Sequence, residues 1–187
     1  MVRVCYCNPD PIQIYNILFK DTMTPEEFIK MLQENATEVQ EFLDNMWPYI
    51  AGDTAVNHFK ENFDHEGFMD GGVTPWDDVK RRDNDSEWYG IAPNNKGRLS
   101  STRAADPILK DTNELRDAID YEVRGAGEVV IVNEKPYAAV HNEGGHAFVF
   151  GKTPFEMPKR QFIGDSEELN EKNIDELTNE LDNIIQP

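Results

Sequence analysis

Two histidines and a glutamate, His141, Glu143 and His146, fall close together in the stretch PYAAVHNEGGHAFVF, between two apolar runs. Imidazole is a common zinc ligand and a neighbouring carboxylate can serve as general base, so this trio is where metal-dependent hydrolysis would be sought. The helical zinc pattern His-Glu-x-x-His sets both rings one turn apart on one face. Here the order is His-Asn-Glu-Gly-Gly-His, which turns the second ring off the first one's face. Gly144 and Gly145 would also cost a helix about 2 kcal/mol relative to alanines. A loop site needs a third ligand, and His58 and His65 are the histidines left to offer one. The competing reading is structural: Gly144 and Gly145 supply unusual backbone angles where a strand leaves a sheet, and His141 caps or packs at that edge.

Other chemistry is thinly represented. Asp64, Glu66 and Asp70 near Gly71 resemble a calcium loop only faintly, because the alternate ligands and the closing glutamate are not in place. The sequence has no P-loop, no G-x-S-x-G and no dinucleotide fingerprint, and it suggests no cofactor. Cys5 and Cys7 are too close for an unstrained disulfide and read as thiols of a reducing compartment. The start MVRVCYC lacks the charged and apolar regions of a signal peptide, and no apolar run is long enough to span a membrane, so a soluble, cytoplasmic product is expected.

The formal charge is −18 and the pI about 4.5. Gripping nucleic acid requires Lys and Arg to displace counterions, so direct nucleic-acid binding is not expected; an acidic decoy that mimics DNA is the form such a role would take. The charge is also segregated. Residues 24–66 carry ten Asp or Glu against Lys30 and Lys60, and 165–187 carry eight against Lys172. The sign reverses between 80 and 110, where Lys80, Arg81, Arg82, Arg98 and Arg103 form a candidate subunit contact. A basic segment of one copy meeting an acidic helix of the next is a way to give a head-to-tail ring its polarity.

The elements that must position these residues follow from periodicity and punctuation. Val2, Val4 and Tyr6 alternate before the turn NPDP, and IYNILF follows, so residues 1–23 read as a hairpin or extended arm. Thr24-Pro25-Glu26-Glu27 has the form of a capping box with proline at the first helical position. From there Phe28, Met31, Leu32, Val39, Phe42, Leu43, Met46 and Trp47 predict one helix of about six turns. Pro48 is expected to interrupt it, with a shorter helix carrying Val56, Phe59 and Phe63 to follow. Residues 64–106 lose all periodicity and read as a long irregular loop. Val129 to Val132 reads as a buried strand, NEKP as a tight turn, Tyr137 to Val140 as the returning strand and HAFVF as a further extended piece. Leu169, Ile174, Leu177, Leu181 and Ile184 draw the stripe of a final amphipathic helix with an acidic outer face. The expected fold is α+β: a long N-terminal helix and a C-terminal amphipathic helix packed on a small, mostly antiparallel sheet, with residues 24–187 as a single domain.

Three segments taken together resemble the phage virion morphogenesis family, the tail-completion proteins of Mu-like phages and prophages. The first is HFKENFDHEGFMDGGVTPWDDV, with Phe59, Phe63, Gly71, Gly72 and Trp76 at the family's positions. The second is PILKDTNELRDAI, with Leu109, Leu115 and Ile119; it has Thr112-Asn113 where the family usually shows Thr-Gly, and asparagine tolerates the left-handed conformation best after glycine. The third joins NEKPYAAVHNEGG to MPKRQFIGDSEEL, with Tyr137, Ala138, His141, Gly144, Pro158, Arg160, Phe162, Ile163 and Gly164. The resemblance runs from about residue 50 to 185.

It implies a non-catalytic assembly protein of tail completion or head-tail joining that self-associates into a ring and touches tail or neck proteins. Such a protein is made in the host bacterial cytoplasm and carried into the virion. Tyr137, His141, Gly144, Pro158, Arg160 and Phe162 become a structural motif, in which Arg160 ties the exit after His141 to a carboxylate or a carbonyl.

Overall fold

The first helix begins where the capping box places it. Thr24 Oγ1 accepts the Glu27 N–H at 3.3 Å, Glu27 Oε2 accepts the Thr24 N–H at 2.9 Å, and Pro25 occupies the first turn, so α1 spans Pro25–Glu34. The molecule is represented by a computed structural model that describes residues 2–6, 23–90, 104–125, 127–149 and 153–185. The single six-turn helix expected here is two helices, because the ladder stops at Asn35. That residue leaves helical geometry (φ −106°, ψ 9°), and its side-chain amide donates to the Met31 carbonyl at 3.2 Å, in competition with the helix ladder. α2 then runs Ala36–Asn45 and α3 runs Trp47–Asp64. Pro48 starts α3 instead of ending its predecessor, since a first-turn residue needs no intrahelical N–H bond. α3 is accordingly the longest of the three, not the short helix expected.

The chain divides into two compact units. One is built mainly from Arg3–His58, Asp120–Val132 and Asp165–Pro187, the other from Phe59–Ile119 and Asn133–Gly164. In the first of these, α6 (Glu167–Ile185) lies at the C-terminal end of the chain and buries Leu169, Asn173, Leu177, Leu181 and Ile185 at helical spacing. Leu177, Leu181 and Ile185 share a core with Phe28, Val39, Trp47 and Ala51. The unit also holds a three-stranded sheet in the order β1-β5-β4: β1 is Val2–Tyr6, β4 Ile119–Val123 and β5 Val129–Asn133. β5 is the middle strand and all five of its residues are buried, as a strand covered on both faces requires. The Arg124 N–H donates to the Glu128 carbonyl at 2.8 Å and closes the connection from β4 to β5. α3 carries Gly52 because a Cβ there would stand 2.5 Å from the Tyr121 ring. The predicted N-terminal strand is β1; the rest of the predicted arm, residues 7–22, lies outside the described residues.

In the other unit, residues 64–106 are not wholly irregular. β2 (Gly67–Met69) and β3 (Val73–Pro75) form a short antiparallel hairpin whose turn uses Gly71 and Gly72 at positive φ. α4 (Glu114–Asp117) follows Asn113, which does adopt the left-handed conformation (φ 60°, ψ 0°). The predicted returning strand at Tyr137–Val140 is instead helical, α5 (Ala138–Glu143). The cause is local. Asn133 Oδ1 accepts the Lys135 N–H at 3.1 Å and the Lys135 carbonyl accepts the Ala138 N–H at 2.9 Å, so the turn after β5 winds onward into a helix. β6 (Gly145–Val149) pairs antiparallel with β7 (Thr153–Met157), Ala147 facing Phe155, a second two-stranded antiparallel sheet in addition to that of β2 and β3. The core is aromatic: Phe63 meets Trp76 edge-on at 5.4 Å and Phe162 at 5.2 Å, and Phe59, Phe63 and Phe162 are fully buried. Among the described residues, no helix is long and apolar enough to cross a membrane.

Candidate functional site

The residues singled out between 137 and 164 meet along one extended segment, residues 158–164, which is fastened to its surroundings mostly through its backbone. The Arg160 N–H donates to the His141 carbonyl at 2.8 Å, at the C-terminal end of α5. The Arg160 guanidinium reaches the other way: Nε and Nη2 donate to the Asp77 carbonyl at 3.0 and 2.9 Å, and Nη2 to that of Asp78 at 3.2 Å. The Gln161 carbonyl accepts from Trp76 Nε1 at 2.8 Å. The N–H groups of Phe162 and Ile163 both donate to Asn142 Oδ1, each at 2.9 Å. The Phe162 carbonyl accepts from Asn62 Nδ2 at 3.1 Å, and Asn62 Oδ1 accepts the Met69 N–H at 2.9 Å. One strap thus joins α3, α5, the β2–β3 hairpin and the loop after it. Arg160 is 5 % exposed, and burial pulls its guanidinium below its ordinary pKa; its hydrogen-bond partners among these are carbonyl dipoles, not an ion pair.

Gly144 stands where α5 turns into β6, at φ 74° and ψ −170°, a conformation essentially reserved for glycine. A Cβ there would lie 2.9 Å from the Lys159 nitrogen and 3.0 Å from the Met157 carbonyl oxygen. Gly144 and Gly145 therefore do take unusual angles, but at a helix exit and strand entry. Tyr137 is part-exposed, edge-on to His141 at 6.0 Å, and its hydroxyl donates to Glu114 Oε2 at 3.4 Å. Pro158 lies within the same segment, between β7 and Arg160.

The metal trio does not converge. The His141 ring is largely buried with Nδ1 unpartnered, and burial, helped by the Arg160 charge, holds its pKa below the usual imidazole range. His146 is 85 % exposed on the β6–β7 ribbon, where it pairs across the strands with Glu156. Among the described residues, no three His, Cys, Asp or Glu side chains are grouped to hold a metal ion. Two of the three carboxylates of the faint calcium loop, Asp64 and Glu66, are taken by cations. Asp64 is bound by Lys110, with Arg116 at 3.7 Å, and Glu66 is clasped by Arg82 at 2.6 and 2.8 Å. The Arg82 hydrogen bonds hold Glu66 below the usual carboxylate range, and Glu66 Oε1 also accepts the Ile108 N–H at 2.7 Å.

That clasp changes the reading of the basic segment. Arg81 Nη2 donates to the Asp106 and Pro107 carbonyls at 2.9 and 2.8 Å, and Arg82 Nη2 to Asp106 at 3.0 Å. Both arginines thus fasten their own chain. Lys80 is exposed, and Arg98 and Arg103 lie outside the described residues. Sequence reasoning did not find Asn142, Asn62 or Glu66 in these roles. Asn62 left one trace, a polar residue on the otherwise apolar 56-59-63 face of α3; Asn142, beside His141, left none.

Residues 78–182, more than half of the chain, match the model of the phage virion morphogenesis family. No curated protein and no solved structure matches the chain.

Proposed function

The chain belongs to the phage virion morphogenesis family, and from that membership we propose that it completes the tail or joins head to tail as a non-catalytic ring component. The family makes the role a structural or assembly one in the phage virion. The observation that carries the finer reading is the strap. Arg160, Asn142 and Trp76 aim their polar groups at backbone groups of the same unit, which suits a rigid part that presents surfaces to neighbours. Supporting it, α6 exposes Glu167, Glu171, Asp175, Glu176 and Asp182, an acidic face able to receive a cationic segment of the next copy. Since Arg81 and Arg82 serve their own chain, Lys80 with Arg98 and Arg103 would supply that segment. Neighbouring tail or neck proteins are the further partners, and the virion is the final location.

The test is mass spectrometry of purified particles from an induced lysate of the source strain. Peptides of this chain at a few copies per particle are expected. Intact tailed particles that lack them would overturn the reading of a resident component.

A further inference from the structure

His58 on α3 sits between two side chains of the C-terminal segment. Ser166 Oγ lies 3.2 Å from His58 Nε2, and Lys172 Nζ lies 3.2 Å from His58 Nδ1. Lys172 is also paired with Glu168, one turn back on α6, at 3.1 Å. His58 and Ser166 are each 1 % exposed. An ammonium group has donors and no lone pair, so Nδ1 must be the ring's acceptor. The hydrogen of the neutral ring is then on Nε2, which donates to Ser166 Oγ. The same hydroxyl oxygen accepts the Leu169 N–H at 3.2 Å, satisfying one of the N–H groups that a helix start leaves free. A buried imidazole thereby joins the cap of α6 to its second turn.

We infer that His58 is a proton-operated latch: as the neutral Nε2–H tautomer it fastens the first turns of α6 to α3, and its protonation releases them. The proton would have to enter at Nδ1, where it would face the Lys172 ammonium. Two cations 3.2 Å apart, one of them on a buried ring, repel, and the bond from Lys172 is lost. Lys172 meets the ring from α6, with Glu168 behind it; on α3 itself, Lys60 and Glu61 follow at two and three residues. The latch is therefore closed while the ring is neutral and opens on acidification.

Two measurements on the full chain test it. Nitrogen-15 NMR of the histidine rings at neutral pH, with His58 assigned by its loss in His58→Gln, is expected to show a protonated Nε2 and a bare Nδ1. Hydrogen exchange of peptides covering 166–175, corrected for intrinsic rates, is expected to lose protection roughly tenfold per pH unit once the ring titrates. Peptides of β5 should hold theirs. His58→Gln keeps a donor and an acceptor but has no proton to gain, so its α6 protection should stay flat with pH; Lys172→Met, which removes the opposing cation, should shrink the loss of protection on acidification. The opposite tautomer, or an unchanged acid response in His58→Gln, would overturn the inference.

Discussion

Single side chains decide whether the strap stays in place. Asn142 Oδ1 is the acceptor for two buried N–H groups, so Asn142→Ala leaves both unsatisfied and should destabilise the protein by about 2–4 kcal/mol. Asn142→Asp, which keeps the acceptor, should lose clearly less; a denaturant midpoint indifferent to the alanine change would contradict the assignment. His141 adds a pH dependence of definite sign. Its folded pKa lies below the ordinary imidazole value of roughly 6.5, so below that pH the unfolded chain takes up a proton that the folded one refuses. Stability is thus complete above that value and is lost as the pH falls towards the folded pKa. The decline in unfolding free energy between pH 7.5 and 5.5 should be smaller in His141→Gln. At this scale the sequence was partly legible. Gly144 and Arg160 announced themselves as residue types with restricted uses, whereas an asparagine that binds a segment twenty residues away has no local signature.

Among the elements, those defined by local chemistry were readable and those defined by tertiary choice were not. The capping box at Thr24 contains all its partners within four residues, and it forms as written. Thr24→Ala should therefore destabilise by about 1 kcal/mol, and an unshifted unfolding transition would show that the box contributes nothing in the folded protein. By contrast, the apolar stripe of residues 28–47 continues through Asn35 although the helix does not, because periodicity records which face is buried and not whether the axis is continuous. α5 was misread for a related reason: YAAV is short and apolar, which suits a strand or a buried helical turn equally. What separated the two was the Asn133 side chain, which closes a turn and also donates to the Leu115 carbonyl at 2.7 Å, a partner eighteen residues earlier. Gly144→Ala belongs here as well, since it would place a Cβ against the strap at the α5–β6 corner. The strained backbone alone should cost about 1–3 kcal/mol, read as a lowered midpoint in thermal or denaturant unfolding.

For the whole molecule, the net charge turns the proposed ring into a measurement with a telling shape. Copies that each carry −18 repel at long range, and this repulsion is screened first as salt is added. The Debye length falls from about 30 Å at 0.01 M to about 10 Å at 0.1 M, so association should strengthen across that interval. If the contact itself joins Lys80 and its neighbours to the acidic face of α6, further salt weakens the pairs that hold it, and association should pass through a maximum and decline. Light scattering or native mass measurement across a salt series reads this directly, and Lys80→Glu should lower the maximum. A different contact would leave a different curve. The β6–β7 ribbon exposes Phe148 at 63 % and Phe155 at 36 %, and a two-stranded ribbon gains from being covered. A contact built there buries apolar surface and has few charge pairs to lose, so association would keep rising with salt. The sign of the response above ~0.1 M therefore decides between a charge-paired and an apolar subunit contact, and a protein monomeric at every salt concentration and loading would remove the ring altogether.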